Sequence, residues 1–130
     1  MEEKKVFLRL QDLDVYKLAK ELSETGWEIY SGLHWQIKKI TGDQFIESTD
    51  SVGANIAEGY HRFHFLDKIK FYYNSRASLV ECVHWAAVLE GRGQIGVDIF
   101  DAFNDVAEKL SIKLQNFISS TYRSRDKLSR

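Results

Sequence analysis

The chain has 130 residues, and its 18 Lys and Arg against 19 Asp and Glu leave a formal charge of −1. At about 150 residues per domain this length points to a single domain over residues 1–130, large enough for one real core. A hydrophobic share of 44% excludes a disordered tail, and the charge balance excludes a uniformly basic nucleic-acid binder while leaving room for a local patch.

The opening Met1-Glu2-Glu3-Lys4-Lys5 leads into no apolar signal segment, and no stretch reaches about 18 uncharged apolar residues. A cytoplasmic location with no membrane contact is therefore expected. Proline is absent from the whole chain, which fits long helices without interior breaks. No Asn-Gly or Asp-Gly hairpin signal and no clean two-residue alternation occurs, so the reading is all-α.

The first helix is predicted over about 12–31, capped by Asp12 or Asp14, with Tyr16, Leu18, Ala19, Leu22 and Ile29 along its apolar side. The connection from Gly32 to Gly42 carries Leu33, Trp35, Ile37 and Ile40 and is expected to dock on the core. The second helix follows over about 43–60, with Phe45, Ile46, Thr49, Val52 and Ile56 at three- and four-residue spacing. The third spans about 63–90 and stops at Gly91-Arg92-Gly93, a cluster suited to a helix C-terminus. The fourth covers about 97–122 and carries Phe100, Phe103, Val106, Ala107, Leu110, Leu114, Phe117 and Ile118 before a frayed basic tail, 123–130. Short connections make neighbouring helices antiparallel, as an up-down four-helix bundle.

The third helix carries two apolar seams where an ordinary bundle helix needs one. Phe65, Ile69, Tyr72, Leu79, Val83 and Ala86 form the first; Leu66, Tyr73, Ala77, Val80 and Ala87 form the second. A face this wide is buried either by a second subunit or, in a monomer, by Leu33 to Ile40. The aromatic share of 13%, including Trp27, Trp35 and Trp85, favours an interface between copies.

Chemistry-bearing clusters are few. Glu58-Gly59-Tyr60-His61 and Glu81-Cys82-Val83-His84 each have the Glu-x-x-His spacing of di-iron bundles. About 18 residues of helix separate His61 from Glu81, roughly 27 Å, so the pairs cannot share a metal cluster, and His84 reads as half-buried. Cys82, among Leu79, Val80 and Val83, reads as a buried and inert thiol. The run Glu47-Ser48-Thr49-Asp50-Ser51 reads as the solvated face of the second helix, and Gly91-Arg92-Gly93 follows a helix rather than a strand, unlike a phosphate loop. No catalytic residue, metal ligand or cofactor site emerges. The segment His61-Arg62-Phe63-His64-Phe65-Leu66-Asp67-Lys68-Ile69-Lys70, followed by Tyr72, Tyr73 and Arg76, interleaves basic groups with aromatics. Cations hold phosphates and aromatic faces stack bases, so His61, Arg62, His64, Lys68, Lys70 and Arg76 are the candidate nucleic-acid-binding residues. The competing reading is a helix start with its aromatics in the core, its charge diluted by Glu58, Asp67 and Glu81. The basic tail could add to the same patch.

Three blocks in order resemble a known family: Asp12-Leu13-Asp14-Val15-Tyr16, then Asp50-Ser51-Val52-Gly53-Ala54-Asn55-Ile56-Ala57-Glu58-Gly59-Tyr60, then Phe71-Tyr72-Tyr73-Asn74-Ser75-Arg76-Ala77-Ser78-Leu79-Val80-Glu81. They are similar to proteins encoded in intervening sequences of bacterial large-subunit ribosomal RNA genes, a family that includes accessory proteins of diversity-generating retroelements. The resemblance implies a four-helix bundle assembled as a ring-like homopentamer, with no known catalysis. For the retroelement members it further implies a basic surface that binds nucleic acid and a reverse transcriptase. Arg62, His64 and Arg76 match basic or polar family positions. The chain departs from the family pattern at Glu47-Ser48, Val52-Gly53-Ala54 and Ser75-Arg76-Ala77-Ser78.

The expectation is a non-enzymatic, homo-oligomeric bundle that presents Arg62, Lys68, Lys70 and Arg76 to RNA, DNA or a protein–nucleic-acid complex. A protein-binding module without nucleic-acid affinity is the second reading, and a metal-dependent enzyme the third.

Overall fold

The computed structural model describes residues 8–128, and every regular element among them is helical. The opening segment Met1-Glu2-Glu3-Lys4-Lys5 and the last two tail residues lie outside the described residues. Four long helices carry the fold: α1 (Asp14–Ser31), α2 (Asp43–Tyr60), α3 (Phe65–Gly91) and α4 (Val97–Leu128). Contacts run antiparallel between chain neighbours. Gly26 meets Thr49 while Ala19 meets Gly53, so numbers rise along α1 as they fall along α2. The same holds for α2 and α3, where Val52 meets Ser75 and Gly59 meets Tyr72. It holds again for α3 and α4, where Phe65 meets Tyr122, Tyr72 meets Phe117 and Arg76 meets Gln115. Packing of α4 back against α1 closes the up-down bundle.

The core follows the predicted stripes. Leu22, Phe45, Ile56, Tyr72, Leu89, Phe103, Leu110 and Leu114 are all essentially inaccessible to water. Each large apolar side chain buried this way contributes about 1.5–3 kcal/mol by leaving water. Among the described residues no buried side-chain nitrogen or oxygen lacks a hydrogen-bond partner.

Several local expectations are corrected. Neither Asp12 nor Asp14 caps α1: Leu13 occupies the cap position without a side-chain bond, and Asp12 accepts from Arg9 Nε at 3.1 Å instead. Asp14 lies in the first turn, where its charge still favours the helix N-terminus. The connection after Gly32 is helical rather than a loop. Trp35–Ile37 form a short turn, and Lys38–Gly42 form a widened π-turn that runs straight into α2. Leu33 is buried and Ile37 packs on the core, but Trp35 and Ile40 stay exposed, so this segment leaves the second seam of α3 uncovered. Within the hydroxyl run, Glu47 and Asp50 are solvated while Ser48 and Thr49 are buried. Their hydroxyls donate to the Phe45 carbonyl, at 3.0 and 2.7 Å, which lets polar side chains enter the core on their own helix. Finally, α4 does not fray at residue 122 but stays helical to Leu128.

The cluster after α3 acts as expected. Gly93 has φ +72°, and the amides of Gln94 and Gly93 donate to the carbonyls of Leu89 and Glu90 at 2.8 and 2.9 Å. Those two bonds define the Schellman termination, which needs a left-handed residue at Gly93. Elsewhere the helices touch through small residues. A Cβ on Gly59 would lie 2.7 Å from Tyr72 Cε1 and 2.9 Å from Phe71 Cβ. We expect Gly59→Ala to lose about 2 kcal/mol or more in urea unfolding, because Phe71 Cβ can retreat only if the α3 backbone moves with it. Gly93→Ala should lose about 1–2 kcal/mol through left-handed strain. Gly91→Ala, where an added Cβ meets nothing within 4 Å, should leave stability unchanged or raise it.

Candidate nucleic-acid interface

Chain direction reverses between α2 and α3 in the four residues His61 to His64. The amides of His61 and Arg62 still donate to Ala57 and Gly59 carbonyls, at 3.4 and 3.1 Å, so α2 unwinds gradually. His64 is extended (φ −82°, ψ 138°) and starts α3 without a side-chain cap. The reversal leaves His61, Arg62, Phe63 and His64 all exposed, and Phe63 is 92% accessible.

The structure divides the six candidate residues rather than gathering them. Arg62 Nη2 pairs with Glu58 Oε2 at 3.3 Å, and its guanidinium lies 4.8 Å from the Phe71 ring centre. Both partners of that pair are exposed, so it adds little to stability. Lys68 Nζ donates to the Tyr60 carbonyl at 2.8 Å, supplying a donor at the end of α2, and lies 3.4 Å from the Gly59 carbonyl, which already accepts from the Arg62 amide. Partial burial there lowers its pKa from the ordinary lysine value. Arg76, about 12 Å further along α3 at 1.5 Å per residue, donates to Gln115 Oε1 at 2.9 Å and covers the Tyr73 ring. Lys70 falls on the side of α3 that carries Leu66 and Tyr73, away from Lys68. His61 and His64 stay at the turn, edge-on to Tyr60 and Phe63 respectively.

One basic group came from further along the chain. Antiparallel packing brings the guanidinium of Arg125 on α4 to 4.6 Å from the Phe65 ring centre, against the start of α3. In the sequence, Arg125 belongs to the basic tail, and its charge alone is the signal that pointed there.

Groups suited to catalysis stay apart. Among the described residues no three His, Cys, Asp or Glu side chains converge as a metal site would need. His84 is exposed beside Trp85 rather than half-buried. Cys82 is fully buried, donates to the Leu79 carbonyl at 3.2 Å, and has its thiol pushed up to about 12 by desolvation. Among the described residues no helix is long and apolar enough to cross a membrane.

Comparison with known proteins agrees with this architecture. The chain matches the family described as 23S rRNA-intervening sequence protein over residues 11–116. A crystal structure of a protein with unknown function from the S23 ribosomal protein family of Bacteroides thetaiotaomicron VPI-5482 superposes with a TM-score of 0.73. It is 18% identical, over 81% of this chain and 95% of that one. No curated protein matches the chain.

Two measurements test these assignments. Lys68→Met should lower the melting temperature by several degrees, because it strips the partly buried Tyr60 carbonyl of its lysine donor, whereas Lys70→Met should leave it unchanged. Cys82 should resist a thiol reagent at pH 8 in the native protein and react fully in denaturant. The raised folded pKa keeps the thiol protonated, so this group's contribution to stability is complete below the unfolded value of 9.0 and is lost as pH rises through about 12.

Proposed function

This chain belongs to the 23S rRNA-intervening sequence protein family, and from that premise we propose that it is a non-enzymatic, homo-oligomeric scaffold. In this reading the bundle presents its basic and aromatic turn to nucleic acid, or to a nucleic-acid enzyme such as a reverse transcriptase.

The observation that carries the proposal is the outward face of α3. Leu66, Tyr73, Val80 and Ala87 recur every seven residues, with Ala77 beside them. At 100° per residue the stripe is centred about 125° round the helix from the buried residues that run from Ile69 to Leu89. Leu66 is 74% and Val80 69% exposed, so the bundle's own core does not use this stripe. A seven-residue apolar repeat is the pattern by which helices of separate chains pack, knob into hole. Copies joined through unlike surfaces close into a ring when the rotation between them divides the circle, and five copies of the 15.1 kDa chain would weigh about 75 kDa.

The second reading, a protein-interaction module without nucleic-acid affinity, draws on the cations themselves. Arg62, Lys68 and Arg76 already have partners, and Glu58 lies within the same turn.

Light scattering on a size-exclusion column should give a multiple of 15.1 kDa, and Tyr73→Glu with Val80→Glu should return the protein to a single copy. A monomeric wild type would refute the scaffold. A labelled RNA should bind at about 50 mM salt and release as salt rises, since phosphate contacts weaken with ionic strength. No binding at that salt would leave the protein-only module.

A further inference from the structure

One end of the bundle opens into a cleft of about 560 Å³ between the end of α2, the start of α3 and the last turns of α4. That volume lies within the range of about 300–1,000 Å³ typical of small-molecule sites. Its walls are aromatic: Tyr60, Phe63, Phe65, Tyr72 and Phe117. Among the described lining residues there is no aliphatic side chain and no carboxylate. Lys68 and Arg125 provide two cations, and α4 adds the hydroxyls of Ser120, Thr121 and Ser124.

Each feature narrows the occupant. Aromatic walls match a π-system better than a flexible acyl chain, because ring pairs attract both stacked and edge-to-face. The cations favour an anion. Lys68 spends two of its three protons on backbone carbonyls, leaving one to donate outward. Hydroxyls both donate and accept, so they suit the mixed polar edge of a heteroaromatic ring. Phe63 adds the remaining clue: its ring lines the cleft yet is 92% exposed, so it contributes almost nothing to the bundle's own packing.

We propose that this cleft takes one unpaired nucleotide, with its base stacked against Phe63 and the aromatic walls and its phosphate beside Lys68 and Arg125. The inference rests on the nucleic-acid reading above and restricts it to single strands. A base held in a duplex keeps both faces stacked on its neighbours and cannot enter a cleft at the end of a bundle. Recognition of this kind tolerates any sequence, because every base offers a face.

The test is fluorescence anisotropy at about 50 mM salt with a labelled ten-nucleotide oligouridine and a ten-base-pair RNA duplex. Wild type is compared with Phe63→Ala, which removes an exposed ring and leaves no cavity, and with Ser124→Phe, which fills the cleft from an exposed position on α4. Wild type should favour the single strand. Both variants should weaken single-strand binding about tenfold or more, the loss expected when a stacking ring is removed, and leave duplex binding and the melting temperature unchanged. If either variant keeps wild-type single-strand affinity, or if duplex binding falls equally, the cleft assignment is overturned while nucleic-acid binding itself stands. If wild type binds neither RNA, both fall together.

Discussion

The bundle depends on how closely α2 lies against its two neighbours. On one side, Gly26 on α1 leaves room for the Thr49 methyl, which an added Cβ would approach to 2.8 Å. On the other, Gly59 leaves room for the Tyr72 ring, and Ser75 on α3 donates to the Val52 carbonyl at 2.7 Å across the buried seam. Helices that approach this closely exchange side-chain volume for backbone contact, so the glycines and the short hydroxyl side chains act as one device. That device explains why the block from Asp50 to Tyr60 carries so many small residues. It also explains the buried Ser48 and Thr49, whose hydroxyls bond backward along their own helix.

From that constraint the roles of α3 follow. Once α2 occupies one flank and α4 another, the residues left outside are Leu66, Tyr73, Ala77, Val80 and Ala87, which packing within one chain leaves exposed. An apolar stripe of this length facing water is an uncommon arrangement unless something covers it. The same geometry sets the fate of the cations. Lys68 turns back to the end of α2 because the chain reverses there without a glycine cap, and a lysine from the next helix supplies a donor to the Tyr60 carbonyl. Arg76 reaches α4, and Arg62 lies over Phe71. Each of these three cations thus has a structural contact within the bundle.

Periodicity and punctuation in the sequence determined the helix count, the antiparallel order, the core stripes, the termination at Gly93 and the doubled apolar seam of α3. These are local properties: a 3.6-residue repeat and a left-handed glycine are written in a few adjacent residues. Only the tertiary structure decided which seam of α3 faces inward, because both have helical spacing and nothing local distinguishes them. It alone made Ser48 and Thr49 core residues, since a hydroxyl that bonds its own backbone carries no signal in composition. It likewise divided the basic segment among the turn, the outward stripe and α4, and it brought Arg125 beside Phe65 across more than half of the fourth helix's length from the bundle's far end. Contacts between residues sixty positions apart depend on how four helices stack, and that stacking is set by volume and hydrogen-bond geometry at buried seams rather than by the order of residue types.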